Sequence, residues 1–191
     1  GEGGYEETEQ KIQEALIERM AVLGESGNIN QSVTKETPLE GGSRSPETYF
    51  GAARNQFFGN GLPGVAGDQK GLTIPAQLAL NTLYLSGDWN ITSEFAQNSS
   101  IDAGITYKYI AKNVFLVSQA NNETAVEVLL DGKPLGSEAG ADIIKTSDGK
   151  TIMKIKDARL YKIIQGTATE THTITFIIQK SGLEAFAFTF G

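Results

Sequence analysis

The sequence predicts an all-β, antiparallel sandwich of the jelly-roll type, preceded by one N-terminal α-helix. Three observations predict it. From about Leu78 onward, apolar residues recur with a period of two instead of a helical period. Turn pairs punctuate these runs at Asp131-Gly132, Asp148-Gly149 and Ser181-Gly182. No helical pattern intervenes, so the runs lack a βαβ rhythm and are expected to pair antiparallel.

The elements follow in chain order. Residues 5–23, "YEETEQKIQEALIERMAVL", form the expected helix, with Ile12, Leu16, Met20 and Leu23 on one apolar stripe. Glu6, Glu7 and Glu9 favour its N-terminal turns, and Gly24 stops it. That stripe needs a cover, by folding back on the sandwich or by self-association through the helix. The Gly, Ser, Asn and Thr content of residues 25–44 marks a linker, dividing the chain into 1–24, 25–44 and a module over 45–191. Pro46 ends the linker, because proline disfavours helix at the residue before it. Residues 47–51 are expected to be a first, edge-like strand, tied down by Arg54, Phe57 and Phe58. The glycine-rich stretch 59–75 reads as a long surface loop. Eight or nine short strands follow, near 80–86, 89–96, 101–111, 113–119, 124–130, 151–156, 158–165, 171–180 and 183–190. In the last, Phe186, Phe188 and Phe190 share a face.

Composition excludes several functions. A net charge of −7 opposes binding to nucleic acid and to anionic membrane surfaces. No apolar run reaches the roughly 18 residues a spanning helix needs. The acidic, polar opening reads as a segment cut from a longer protein. With no cysteine there is no disulfide, thiolate metal site or thiol catalysis within this chain. The single histidine, His172, shares parity with Ile174, Phe176 and Ile178 and has no Gly-x-Ser-x-Gly elbow to serve. It is expected to be a structural or edge residue. "GNGLPG" at 59–64 lacks the Lys-Ser/Thr of a phosphate loop. Asp131, Asp148 and Asp157 fall at turns and strand ends without calcium-loop spacing. No cofactor, metal or catalytic residue is therefore expected.

What remains is aromatic. Trp89 opens a strand, Tyr84 has the opposite parity to Leu83 and Leu85, and Tyr161 lies beside Arg159. Flat rings bordered by polar groups can stack on the apolar face of a sugar, so these four are candidate ligand-binding residues. The alternative places Trp89 and Tyr161 as caps on the core. Tyr49 and Arg54 are candidates for a binding rim, against a plain clasp role for their segment.

Five stretches carry a resemblance: "SPETYFGAARNQFF", "LSGDWNITSEFAQ", "LLDGKPL", "ARLYKII" and "GLEAFAFTFG". Together they resemble the C-terminal domain of DipZ-type proteins, thioredoxin-like proteins linked to cytochrome c biogenesis. "GEGGYEETEQKIQEAL" is similar to the last helix of the preceding thioredoxin domain. The resemblance implies a sandwich of carbohydrate-binding-module type, outside the cytoplasmic membrane and attached to a redox domain. It implies a non-catalytic module that binds a cell-envelope carbohydrate, or one that docks the thioredoxin domain or its client.

Overall fold

A computed structural model describes residues 44–191. The helix expected over 5–23 and the linker up to residue 43 lie outside the described residues. Among the described residues there are eleven strands and no helix: β1 (Thr48–Tyr49), β2 (Gly67–Leu72), β3 (Thr82–Ile91), β4 (Ala96–Asn98), β5 (Ala103–Ala120), β6 (Thr124–Leu130), β7 (Lys133–Pro134), β8 (Ile143–Lys145), β9 (Thr151–Ile155), β10 (Arg159–Ile178) and β11 (Leu183–Phe190). Every strand pair is antiparallel, as the period-two pattern and tight turns require. At the first expected hairpin turn Asp131 and Gly132 both take positive φ, 50° and 76°, and Gly149 and Gly182 do the same at theirs.

Two expectations change. The runs 101–111 and 113–119 are one strand, β5, and 158–165 and 171–180 are one strand, β10; the runs 80–86 and 89–96 likewise share one strand, β3, with the end of the second reaching the short β4. β10 stays paired to β5 by absorbing register shifts between Lys162 and Ile164 and between Gln165 and Glu170. The loop expected over 59–75 contains β2, which pairs with β3 through Asp68↔Asn90 and Gln69↔Trp89. β2 escapes apolar patterning because a polar side chain holds it. Buried Gln69 accepts from Leu62 N at 2.8 Å and donates to the carbonyls of Leu62 and Val65, both at 3.2 Å.

The long strands fold the sheet on itself. Residues 104–108 of β5 pair with β3, whereas residues 114–120 pair with β11. β4 bridges β3 to β11, closing a β3–β5–β11–β4 circuit. Phe188 shows that the two halves face each other. It lies opposite Thr48 and Leu116 in its own layer, yet its ring centroid is 5.6 Å from Phe176 and 5.5 Å from Tyr107 across the core. Phe50 closes the cluster at 5.4 Å from Phe188. One apolar core thus joins residues of β3, β5, β6, β9, β10 and β11.

Segment 45–58 is the clasp its sequence suggested. Ser45 N donates to Ile110 O at 2.9 Å, and Ser45 Oγ accepts from Ile110 N and donates to Asn81 Oδ1. Thr48 Oγ1 lies 2.8 Å from Tyr107 Oη inside the core. Gly51 packs so tightly that a Cβ would overlap the Glu94 backbone.

Phe188→Ala should cost about 3–5 kcal/mol, the range for a buried aromatic cut to alanine. Ile101→Ala, at a 69% exposed position, should change stability by less than about 0.5 kcal/mol. Urea unfolding of both variants checks the contrast. Equal effects would contradict the two-layer core.

Candidate functional site: the outer face of one layer

The layer built from β4, β11, β5 and the start of β10 has two sides. Its inner side carries Leu183, Ala185, Phe188, Phe190, Val114, Leu116, Tyr161 and Ile163 into the core. On the opposite side Val117 and Phe186 form a separate small cluster with Phe95, Ala158 and Leu160. The Phe95 and Phe186 rings meet at 5.3 Å.

Register fixes what stands beside that cluster. Gln97, Glu184 and Gln119 lie directly opposite one another on β4, β11 and β5. Gln97 Nε2 donates to Glu184 Oε1 at 3.0 Å, and Gln119 Nε2 donates to Glu184 Oε2 at 2.5 Å. The carboxylate, on a residue only 5% exposed, is thus gripped by two amides across three strands. A second row runs Tyr49, Ala187, Val117 and Leu160; a third runs Thr189, Phe115 and Lys162. A polar ladder therefore borders an apolar, ring-bearing strip; Glu184, Val117 and Phe186 are buried and Phe95, Phe115, Leu160 and Tyr49 half-buried.

Tyr49 and Arg54 come together at the edge of this face, with the guanidinium 3.8 Å above the ring centroid. Tyr49 Oη donates to Glu47 Oε2 at 2.7 Å. Burial first, then the Glu47 carboxylate, pushes the phenol up to about 12, so it remains a hydrogen-bond donor.

The other predicted site residues fall elsewhere, and three rings are corrected. Trp89 shares the side of Leu83, Leu85 and Ile91, is 0% exposed, and donates from Nε1 to Ser86 O at 2.8 Å. Tyr84 does point away from Leu83 and Leu85, but it too is buried: Gly59 packs against its ring and Ala79 N donates to its hydroxyl at 3.1 Å. Tyr161 is a core cap, 1% exposed, donating to Asp157 O at 2.8 Å and accepting from Lys156 N at 3.1 Å. None of the three offers a face to a sugar. Arg159 lies 3.8 Å over the Tyr161 ring and pairs with Asp142 at 2.6 Å, so it clamps the loop before β8. Sequence reasoning missed Gln97, Gln119 and Glu184, whose only signal was polar residues recurring at strand parity.

His172 closes a second polar group. Its Nδ1 lies 2.6 Å from Asp131 Oδ2, its Nε2 lies 3.4 Å from Glu170 Oε2, and Asp131 Oδ1 accepts from Thr173 N at 2.8 Å. Burial alone would lower the imidazole, but the two carboxylates outweigh it and raise it above its ordinary value. Burial would raise Asp131, but the Thr173 N–H and His172 outweigh it and lower the carboxyl. Among the described residues no group of three or more His, Asp or Glu side chains is arranged to hold a metal ion.

The folded layer and its polar ladder define an all-β module without a visible reaction centre among the described residues. Residues 45–191 match the family described as "Thioredoxin like C-terminal domain", and the chain belongs to that family. It is 26% identical over 191 residues, its whole length, to Protein DipZ of Mycobacterium bovis and of Mycobacterium tuberculosis. It spans 24% of each of these relatives. Among solved structures, a family two carbohydrate esterase from Cellvibrio japonicus gives a TM-score of 0.45 at 10% identity, over 56% of this chain and 29% of the esterase. Its counterpart from Clostridium thermocellum, in complex with cellohexaose, gives 0.40 at 12%, over 51% and 27%.

The His172–Asp131 pair sets a pH window. His172, raised on folding, stabilises below its unfolded value near 6.5 and loses that contribution as pH rises through its folded value. Asp131, lowered on folding, stabilises above its unfolded value near 3.8 and loses that as pH falls through its folded value. The melting-temperature gap between the native protein and His172→Asn should therefore be widest between these two unfolded values and narrow on either side. A flat gap across a pH series would refute the pairing.

Proposed function

We propose that this chain is a non-catalytic, jelly-roll accessory module of a larger DipZ-like protein, acting outside the cytoplasmic membrane and binding a cell-envelope carbohydrate. The observation that carries this reading is the Gln97–Glu184–Gln119 ladder beside half-exposed rings. Each glutamine uses one N–H on the carboxylate, which leaves its carbonyl oxygen and second N–H for a ligand. Such groups at the spacing of adjacent strands suit vicinal hydroxyls, while Phe115 and Phe95 suit the C–H face of a pyranose. Tyr49 and Arg54 supply a rim with one donor and one cation.

The second reading is a protein-interaction module that docks the parent's thioredoxin domain or its client. It is favoured by the apolar character of Val117, Phe186, Leu160 and Phe95 on the same face.

Glycan-array screening followed by NMR titration tests both. The first reading expects a saturable response to a peptidoglycan or arabinogalactan fragment, with Phe115→Ala and Gln119→Ala each weakening it about tenfold, roughly 1.4 kcal/mol. Both positions are half-buried, so the fold should survive. Silence across all sugars, with the excised thioredoxin domain shifting resonances of this face, would replace the first reading with the second.

A further inference from the structure

Two loops stand on the outer side of β3, away from the Gln97–Glu184–Gln119 ladder. One runs through residues 59–66 and the other through residues 73–81. Both pack against Tyr84: a Cβ on Gly59 would meet its ring, and Ala79 N donates to its hydroxyl at 3.1 Å. Asn60 ties the two together, donating from Nδ2 to Thr73 O at 2.8 Å and to Leu85 O at 2.6 Å. Neither loop contains a charged residue. Between them they expose Leu62 at 60%, Val65 at 47% and Leu80 at 45%, three of the five large apolar side chains exposed among the described residues.

That exposure is built in. Val65 N donates to Leu62 O at 3.3 Å, closing a turn with Pro63 and Gly64 at its centre, and Gly64 takes the positive φ of 74° that its place requires. Buried Asn55 accepts from Gly64 N at 2.7 Å, and buried Gln69 binds both the amide and the carbonyl of Leu62. A turn fixed by two buried side chains cannot fold its leucine and valine inward, and an uncharged apolar patch in water calls for a cover. The course of the chain points to one. Ser45 Oγ donates to Asn81 Oδ1 at 2.6 Å, so the preceding chain emerges beside Leu80. Upstream lie the linker 25–44 and then the stripe of Ile12, Leu16, Met20 and Leu23. Twenty residues of this composition span about 25 Å on average, ample to return the stripe to these loops. Tethering at that range corresponds to an effective concentration of about millimolar. Glu14 and Glu18 fall on the opposite side of the expected helix, so covering the patch buries no charge. The strip around Phe186 is the lesser rival, because Val117 and Phe186 are already buried by their own neighbours.

We propose that residues 5–23 of this same chain dock as an amphipathic helix on the 59–66 and 73–81 loops, with the stripe lying over Leu62, Val65 and Leu80. The contact goes beyond the carbohydrate reading and does not rest on it, since the two use different faces of the module. It accounts at once for the stripe without a partner in the sequence and for the apolar loops without a partner in the fold.

The chain has no cysteine, so Gln13→Cys gives a single attachment point for a nitroxide spin label, beside the stripe and not within it. NMR of the whole chain, with the labelled and isotope-enriched protein diluted into ordinary protein, reads which amides the label broadens. Broadening should be strongest at Leu62, Val65 and Leu80, with Gln119 and Glu184 spared. Leu62→Asp/Leu80→Asp should lower the docked population about tenfold and return the loop signals. Both positions are exposed, so the fold should survive. Leu16→Asp should release the contact from the other side. Unbroadened loop amides would overturn the proposal, and so would broadening centred on Gln119 and Glu184. Broadening that persists in Leu62→Asp/Leu80→Asp counts equally against it. Equal broadening when label and isotope sit on different molecules would give the patch to a second copy and end the proposal too.

Discussion

The hydrogen-bond ladder between β5 and β10 is the constraint on which the rest of the molecule depends. It runs along strands of 18 and 20 residues and survives two register shifts. Because β5 gives one half to β3 and the other to β11, the ladder belongs to both layers at once. Features on both faces are placed by it. Opposite Val117 and Phe115 it sets Leu160 and Lys162 on the outer face, and opposite Tyr109 it sets His172 on the inner one.

Much of this was legible from parity alone. Ile105, Tyr107 and Tyr109 alternate into the core as their spacing predicts, and so do Ile174, Phe176 and Ile178. Parity also held the answer for Trp89, which stands an even number of residues from Leu83 and Leu85. Its position near a strand's start suggested exposure, but β2 pairs beside it and helps close the layer. Tyr84 shows the complementary case. Parity gave its side correctly, but only the fold shows that the loops around Gly59 and Ala79 cover that side.

The outer face was hidden for a different reason. In "LEAFAFTF", Phe186, Phe188 and Phe190 alternate and were expected to share a side. A register shift between Ala185 and Ala187 turns Phe186 outward onto Phe95, while Phe188 and Phe190 stay in the core. Periodicity cannot announce a bulge, because one extra residue inverts every later side. Nor can it announce the Gln97–Glu184–Gln119 ladder, whose three members are 87 and 65 positions apart in the chain. Such cross-strand pairs exist only once register is fixed.

The ends of the strand order have a consequence for the molecule in crowded solution. The path through the sheet begins at β1 and finishes at β8, of two and three residues. β7 is also two residues and includes Pro134, which has no amide hydrogen to offer. β2 is longer, but Asp68 and Lys70 mark it, and the Gly71 amide is already taken by Asp88. A foreign polypeptide seeking to extend the sheet by templated growth would find only brief, charged or capped borders. The architecture thus withholds, among the described residues, the seam along which fibrils start.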